Sequence, residues 1–485
     1  MEMIRAAERD LGELFDLYRH AADGMEARGI RHWHWGRYPN EDLIREDVQK
    51  GQLYILRDGG RIAAAAGAAC GQEEEYGALS WTCGVKPGSF HRIVVHPSLQ
   101  GAGLGGRMLD EVLELLRRGG CDCVRCDTSE NNLPALRFYE KHGFRRCGKL
   151  HWEGNEGDNI TFDRALKQDA PLLPVRMKPA FRSGESTPWG GCRLHERYGK
   201  ETGGGITGES LEASCIPGLE STDPLGRKLP DLIREFGAKM AGKYADRPFP
   251  MLLKLIDARD RLSVQVHPDD AYAASHEGGK LGKTEAWLIL EAPEDSELVY
   301  GLRPGTGKAQ LREACEEGSA VEALLRKVRI TPGDICYIPA GCIHAIGAGV
   351  MLYEIQESSD ITYRFYDWDR KDEHGKGRPL HLEQALAVAD LGCAPAPLHM
   401  PETYGTSRIL DAGSFTLDTL RCGGREQLPE IRDFGFLTCL RGGLSLQWEN
   451  GEMALAEGET CFVPCSAPGM RLCGEGYAAL AMPKG

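Results

Sequence analysis

No run of five or more basic residues occurs anywhere in this 485-residue chain, and acidic side chains outnumber basic ones, 72 against 58, for a net charge of −14. A polyphosphate backbone or an anionic bilayer finds no electrostatic footprint here, so neither nucleic acid nor a membrane is an expected partner. No uninterrupted apolar stretch approaches the ~18 residues that a spanning helix needs. The opening residues, Met1 to Asp10, are charged and lack the apolar core of a secretory leader, which points to the cytoplasm. Aromatics make up only 7% of the chain, yet 41% of residues are hydrophobic, which leaves neither an extended disordered tract nor a fibrous repeat as the main content. Cysteine is not scarce. The 17 cysteines are odd in number and dispersed over a long chain, unlike the framework of a short secreted domain, so reduced thiols are expected. Cys121, Cys123 and Cys126 cluster, but no second pair or nearby histidine run completes a tetrahedral site. A strand cluster is the favoured reading, with metal or redox chemistry as its rival.

At roughly 150 residues per domain the length predicts about three domains. Pro171, Pro174 and Pro179 fall between two differently patterned regions, so residues 169–183 read as a linker. Before it, Leu11, Leu14, Phe15, Tyr18, Ala22 and Met25 recur at helical steps. A hairpin follows around Asp58-Gly59-Gly60, then an apolar strand ending at Val95, a glycine-rich turn, a helix over 107–118, and alternating elements to Leu166, an α/β pattern.

The turn is Gln100-Gly101-Ala102-Gly103-Leu104-Gly105-Gly106. Glycines let a ligand approach the main chain, and amides at a helix start favour an anion such as pyrophosphate. The spacing departs from the dinucleotide fingerprint and no P-loop lysine follows. With Val94-Val95-His96-Pro97 ahead of it, and Asn131-Asn132 and Phe138-Tyr139-Glu140-Lys141-His142-Gly143-Phe144 behind, this region resembles the GNAT family of acetyl-CoA-dependent acyltransferases over about residues 2–166. The resemblance implies a domain over 1–168. It also implies acetyl-CoA bound by Ile93, Val94, Val95, Gln100, Gly101, Gly103, Gly105, Gly106 and Asn132, and Tyr139 as general acid toward the leaving thiolate. An aromatic packing role is the alternative for Tyr139. The acceptor amine is not identified by sequence: His32-Trp33-His34-Trp35 could shape its cleft or form a half-buried turn, and Glu73-Glu74-Glu75 could attract a basic acceptor or form a solvated loop.

Beyond the linker the pattern turns to strands. Ser263, Gln265 and His267 fall on one face at period two, and three polar side chains there need solvent, hydrogen-bond partners or a metal. Glu285 opens an apolar strand, where a carboxylate wants a cation. Gly333-Asp334-Ile335-Cys336-Tyr337-Ile338-Pro339-Ala340-Gly341-Cys342-Ile343-His344 matches the cupin pattern G-x5-P-x-G-x2-H. Two histidines, a glutamate and a neutral glutamine oxygen suit zinc.

With Trp189-Gly190-Gly191, Gly208-Glu209-Ser210, Gly282-Lys283-Thr284-Glu285 and Tyr363-Arg364-Phe365-Tyr366-Asp367-Trp368-Asp369-Arg370, the region 172–485 resembles type I mannose-6-phosphate isomerase of the short bacterial class. The resemblance implies Zn2+ on Gln265, His267, Glu285 and His344, Arg364 in catalysis, and Ser263, Lys283 and Glu354 lining a sugar-phosphate pocket. Glu354 is the first candidate for moving the proton and Lys283 the second, while Lys283 and Arg364 suit the phosphate. Leu211 stands where the family usually has tryptophan.

A multidomain chain is therefore expected: an N-terminal α/β GNAT-like fold, then mainly-β cupin (jelly-roll) domains, catalytic over 184–395 with a small helical insertion at 305–330, and metal-free over 400–485. In that last part Ser466 and Gly469 stand where the first copy has Gly341 and His344. Two rival readings make the cupin half a non-catalytic sugar-phosphate sensor, or the GNAT half a scaffold.

Overall fold

The computed structural model describes residues 3–30, 32–152, 157–372 and 374–484. Two compact units divide the chain. One holds the residues up to Leu173 with Gln447–Met453 and Ser466–Met470; the other holds Pro174–Leu446, Ala454–Cys465 and the segment from Arg471. Among the described residues no helix is long and apolar enough to cross a membrane.

In the first unit β1 (Met3–Arg5), β2 (Leu53–Asp58), β3 (Arg61–Cys70), β4 (Pro87–Val95), β5 (Cys123–Ser129), β6 (Arg145–Leu150) and β7 (Asn159–Ala165) form one sheet in the order β1-β2-β3-β4-β5-β7-β6. The β2–β3 turn needs positive φ at both central residues, and Gly59 (55°) and Gly60 (91°) supply it. Helices α1 (Leu11–Glu26) and α2 (Glu41–Gln49) pack on one face, and α3 (Leu104–Arg118) and α4 (Leu133–Lys141) on the other. Burial on both faces explains the alanine run of β3: Ala65 packs with α1, and Ala64, Ala66 and Ala68 pack with α3.

Two irregularities shape this sheet. A register shift between β3 and β4 leaves two residues of β4 opposite one of β3, and Arg92 adopts φ 50° there, rare for a non-glycine residue. The parallel β4–β5 pairing covers only Pro87–Ser89 against Cys123–Arg125, so beyond those rungs the two central strands are no longer paired.

The second unit contains β8 (Val175–Arg176), β9 (Ala180–Ser183), β10 (Thr207–Ala213), β11 (Met251–Ala258), β12 (Val264–Val266), β13 (Glu285–Glu291), β14 (Glu297–Leu302), β15 (Leu325–Arg329), β16 (Asp334–Ile338), β17 (His344–Ala345), β18 (Val350–Glu357), β19 (Tyr363–Tyr366) and β20 (Leu398–His399). Sheet β20-β16-β13-β18-β11-β10-β9 faces sheet β15-β14-β17-β12-β19 across a core that joins Ile256, Trp287, Ile289 and Leu352 to Leu298, Tyr300 and Ile346. Along β13, β18 and β11 the inward face changes character at one end. Trp287, Leu352 and Ile256 fill the interior, while Glu285, Glu354 and Lys254 stand nearer one end of the same strands. A third sheet collects β8 with β21 (Gly405–Asp411), β22 (Phe415–Gln427), β23 (Phe434–Trp448), β24 (Gly451–Leu455), β25 (Thr460–Pro464) and β26 (Arg471–Pro483).

Within residues 169–183, expected as a linker, the division between the two units falls after Leu173, and the residues beyond it also contribute strands: β8 pairs with β25 and β9 with β10. The prolines flank these short pieces rather than interrupt them, and both strands lie at sheet edges, where proline is tolerated. The third sheet therefore draws on more than residues 400–485. The expected helical stretch 305–330 is helical over Lys308–Glu316, followed by a 3-10 segment, Gly318–Leu324, but ends as strand β15. Val321, Leu324, Leu325 and Val328 fit a helical stripe, and pairing with β14 overrides it.

Candidate functional site

At the polar end of the second unit, β12 sits between β17 and β19, so Gln265 lies opposite both His344 and Arg364. Glu285 opens β13 on the facing sheet. His267 Nδ1 donates to Ile361 O (2.8 Å) and His344 Nδ1 to Cys342 O (2.9 Å), which leaves each Nε2 as a lone pair. Those lone pairs converge: His267 Nε2 is 3.7 Å from Glu285 Oε2, His344 Nε2 is 3.4 Å from Glu285 Oε1, and the Gln265 amide lies 3.2 Å from His344 Nε2. Burial, aided by the Lys283 ammonium, pushes His267 well below the usual imidazole range and His344 down to about 3, so both rings are neutral near pH 7.

The fit to a divalent cation rests on Glu285. It is fully buried, and burial pushes its carboxyl up to about 7 against the pull of Lys283, which reaches Oε2 while no hydrogen-bond donor among the described residues reaches Oε1. Such a carboxylate is costly unless a cation meets it. Lys283 Nζ approaches within 2.7 Å of Oε2, and also lies 3.2 Å from His267 Nε2. Among the described residues, His267, Glu285 and His344 are the one group of His, Cys, Asp or Glu whose donor atoms, all within 4.8 Å of one another, could hold a metal ion. Two neutral imidazoles, one carboxylate and an amide oxygen brought in by a half-turn of Gln265 form a borderline donor set suited to zinc.

Beside this cluster opens a cavity of about 120 Å3 whose walls include Ser263, Gln265, Lys283, Glu354 and Arg364, all singled out from sequence. Arg364 Nε donates to Ser263 Oγ (3.1 Å) and Nη1 to Pro379 O (2.9 Å), so its charge meets no carboxylate at these contacts. Sequence reasoning missed Lys254, Glu209 and Arg182 on the same wall. Lys254 is fully buried, with Nζ 3.0 Å from Glu354 Oε1 and 3.6 Å from Glu209 Oε2. Its signal was legible: one lysine within Leu252-Leu253-Lys254-Leu255-Ile256 must find a partner. Burial opposes ionisation of Glu354, but Lys254 and Lys283 outweigh it and hold the carboxyl at about 2, with Trp287 Nε1 donating to Oε2 at 3.1 Å. Leu211, the departure noted from sequence, is fully buried in β10.

In the first unit, Gly101 (φ 86°) and Gly103 (φ 79°) take conformations that disfavour side chains, and nothing lies within 4 Å of a Cβ built on either. Gly106 lets α3 approach the end of α4, since an added Cβ would sit 3.1 Å from His142, whereas one on Gly105 would meet Phe138 at an ordinary 3.6 Å. Gln100 Nε2 reaches Val95 O at 3.4 Å. Ile93 and Val95 pack toward α3, whereas the Val94 side chain lies in the core under α1, leaving only its backbone for a ligand on the α3 side.

Tyr139 is buried among Phe90, Phe138, Phe144 and Phe162, and burial, with Cys126 and Asp127 nearby, raises its pKa well above that of free tyrosine. Asn132 caps α4 through Ala135 N (3.3 Å) and turns its Nδ2 to His32 Nε2 (3.4 Å), joining the start of α4 to the His32-Trp33-His34-Trp35 segment. Burial draws His32 down to about 4. Glu73, Glu74 and Glu75 are exposed, as a solvated run would be. Cys121 Sγ lies 3.2 Å from Cys70 Sγ, and Cys123 and Cys126 are buried.

The Acetyltransferase (GNAT) family model matches residues 13–144. The mannose-6-phosphate isomerase of Streptococcus mutans is 36% identical over 284 residues, 57% of this chain and 88% of the relative. A glucosamine 6-phosphate N-acetyltransferase of Trypanosoma brucei is 47% identical over 58 residues, 12% of this chain and 37% of the relative. Among solved structures, the mannose 6-phosphate isomerase of Bacillus subtilis aligns with a TM-score of 0.56 at 30% identity, covering 64% of this chain and 99% of that one.

Proposed function

Because this chain belongs to the mannose-6-phosphate isomerase family over its C-terminal part and carries a GNAT acetyltransferase domain ahead of it, we propose that it is a bifunctional cytoplasmic enzyme: the second unit interconverts mannose 6-phosphate and fructose 6-phosphate, and the first transfers an acetyl group from acetyl-CoA to an amine. The convergence of Gln265, His267, Glu285 and His344 on one buried point carries the isomerase reading. These four would hold Zn2+, which supplies Lewis-acid polarisation of the substrate's carbonyl oxygen.

Aldose–ketose exchange moves one proton from C2 to C1 and one from the C2 hydroxyl to the C1 oxygen, and passes through an enediolate whose oxygen bears negative charge. Arg364, with no carboxylate at its hydrogen-bonding contacts, faces that charge. Glu354 is ionised at working pH and is the group that takes the C2 proton and returns it to C1. Arrival of a dianionic substrate beside it raises its proton affinity from the low resting value. Trp287 and Lys254 fix the carboxylate's two oxygens, which leaves it little freedom to turn away. Lys283 lies beside the ligand atoms and suits a substrate oxygen. A coupled assay starting from mannose 6-phosphate is the test: turnover abolished by a chelator and restored by Zn2+ supports the reading, and full turnover in metal-free protein defeats it.

For the first unit, the open loop at Gly101 and Gly103 before α3 supports acetyl-CoA binding, and buried Tyr139, held in its neutral form, has a proton to give the leaving thiolate. Gly103→Glu places a strained residue and a negative charge where pyrophosphate is expected. Thiol release from acetyl-CoA over a panel of amines should fall at least about tenfold in this variant, with isomerase turnover retained. Thiol release that is absent from the parent with every amine would favour the scaffold reading.

A further inference from the structure

Lys283 and Arg364, the cations expected from sequence to meet the phosphate, both stand at the metal end of the cavity, which leaves the substrate's phosphate without a dedicated anchor. In an open-chain hexose 6-phosphate that group lies four carbons beyond C2, so its partner must stand away from the metal ligands. Beside β13, which carries Glu285 of the cluster, the neighbouring strands β18, β11, β10 and β9 carry Glu354, Lys254, Glu209 and Arg182 in turn across the wall of the cavity. Neighbouring strands are about 4.8 Å apart, so the row leads from the ligand-bearing strand to the sheet edge. From Glu354 onward the signs alternate, with contacts of 3.0 Å (Glu354 to Lys254), 3.6 Å (Lys254 to Glu209) and 3.4 Å (Glu209 to Arg182).

Most cations around the cavity are already committed. Lys283 sits 2.7 Å from the ligand Glu285, Lys254 is shared by two carboxylates, and Arg378 forms a two-pronged pair with Asp367 at 2.7 and 2.6 Å. Arg364 has uncommitted charge, but β19 holds it opposite Gln265, at the metal end. Arg182 differs on both counts. It stands at the far end of the row, on an edge strand; among the described residues its one salt bridge is a single 3.4 Å approach from Nη1 to Glu209, Asp360 acts on it from farther away, and its side chain is 26% exposed. Four of its five N–H donors stay outside that contact, and a planar guanidinium matches phosphate oxygens in a two-pronged fashion.

We infer that Arg182 is the phosphate anchor of the isomerase site and sets its preference for phosphorylated over free hexose. This rests on the isomerase reading. The experiment is steady-state kinetics of the full-length, zinc-supplemented protein with mannose 6-phosphate, including inorganic phosphate as inhibitor. Arg182→Ala should raise KM about 10- to 100-fold and weaken phosphate inhibition in proportion, as expected for losing a charge-assisted contact, while kcat changes less than about threefold. Arg182→Lys should recover part of the KM, because the charge returns without the fork. An active parent whose KM is unmoved by Arg182→Ala, or a variant whose kcat and melting temperature fall together with KM unchanged and no rescue by lysine, overturns the anchor alone. A parent with no isomerase turnover overturns the anchor together with the reading beneath it.

Discussion

His344→Ala loses isomerase kcat/KM by at least about three orders of magnitude and no longer retains zinc through dialysis, while thiol release by the acetyltransferase unit continues unchanged. The loss is large because His344 is fully buried and its Nδ1 bond to Cys342 O aims Nε2 at the Glu285 carboxylate, 3.4 Å away. Disturbing only the partner that orients a ligand costs about 10- to 100-fold in affinity or activity, so removing a ligand costs more. Without the ring, Glu285 keeps Lys283 as its nearest cation and the Lewis acid is absent. Elemental analysis of the purified variant beside its kinetics checks both halves. A variant that turns over at the parent's rate removes the zinc assignment.

Glu354→Gln lowers kcat by about 10²- to 10⁴-fold, the range for deleting a positioned acid–base group, and leaves the metal content intact. Glutamine keeps the side chain's shape and one acceptor oxygen, so it can serve Lys254 or Trp287 but not both, and the carboxamide cannot accept the C2 proton. The same substitution has a signature in stability. The folded-state pKa of Glu354 is held at about 2, below the ordinary 4.5, chiefly because Lys254 and Lys283 overcome burial. A depressed carboxyl contributes stability that is fully present above pH 4.5 and is lost as pH falls toward 2. The parent should therefore lose stability across that acid window more steeply than Glu354→Gln, in melting curves recorded between pH 5 and pH 2. Equal acid profiles, or unimpaired kcat, would remove Glu354 from its proposed role.

Much of this arrangement was legible along the chain. Gly59 and Gly60 announce a turn that needs positive φ twice, and the α1 stripe from Leu11 to Met25 matches a buried helix face. Glu285 stood out because a carboxylate among apolar neighbours demands a cation, His267 because it shares one strand face with Ser263 and Gln265, and His344 because it closes the cupin pattern. Lys254 obeys the same rule and was overlooked, since nothing nearby in sequence shows that Glu354 lies opposite it, 100 residues on. The two short strands within residues 169–183 were not foreseen for a related reason: proline content reports local chain stiffness, whereas the pairing of β8 and β9 depends on β25 and β10. At 325–328 the spacing of Leu325 and Val328 fits a helix, and only the β14 partner makes the segment a strand.

Sequence by itself determined the chemistry available: which side chains can ligate, donate or carry charge, and which turns can form, because these properties belong to single residues and their immediate neighbours. Tertiary structure alone decided the pairing of Lys254 with both Glu209 and Glu354, the row that ends at Arg182, and the tautomers that leave two imidazole lone pairs facing one carboxylate. Those facts depend on distances between strands far apart along the chain, and electrostatic energy in a buried site is set by such distances and by the exclusion of water.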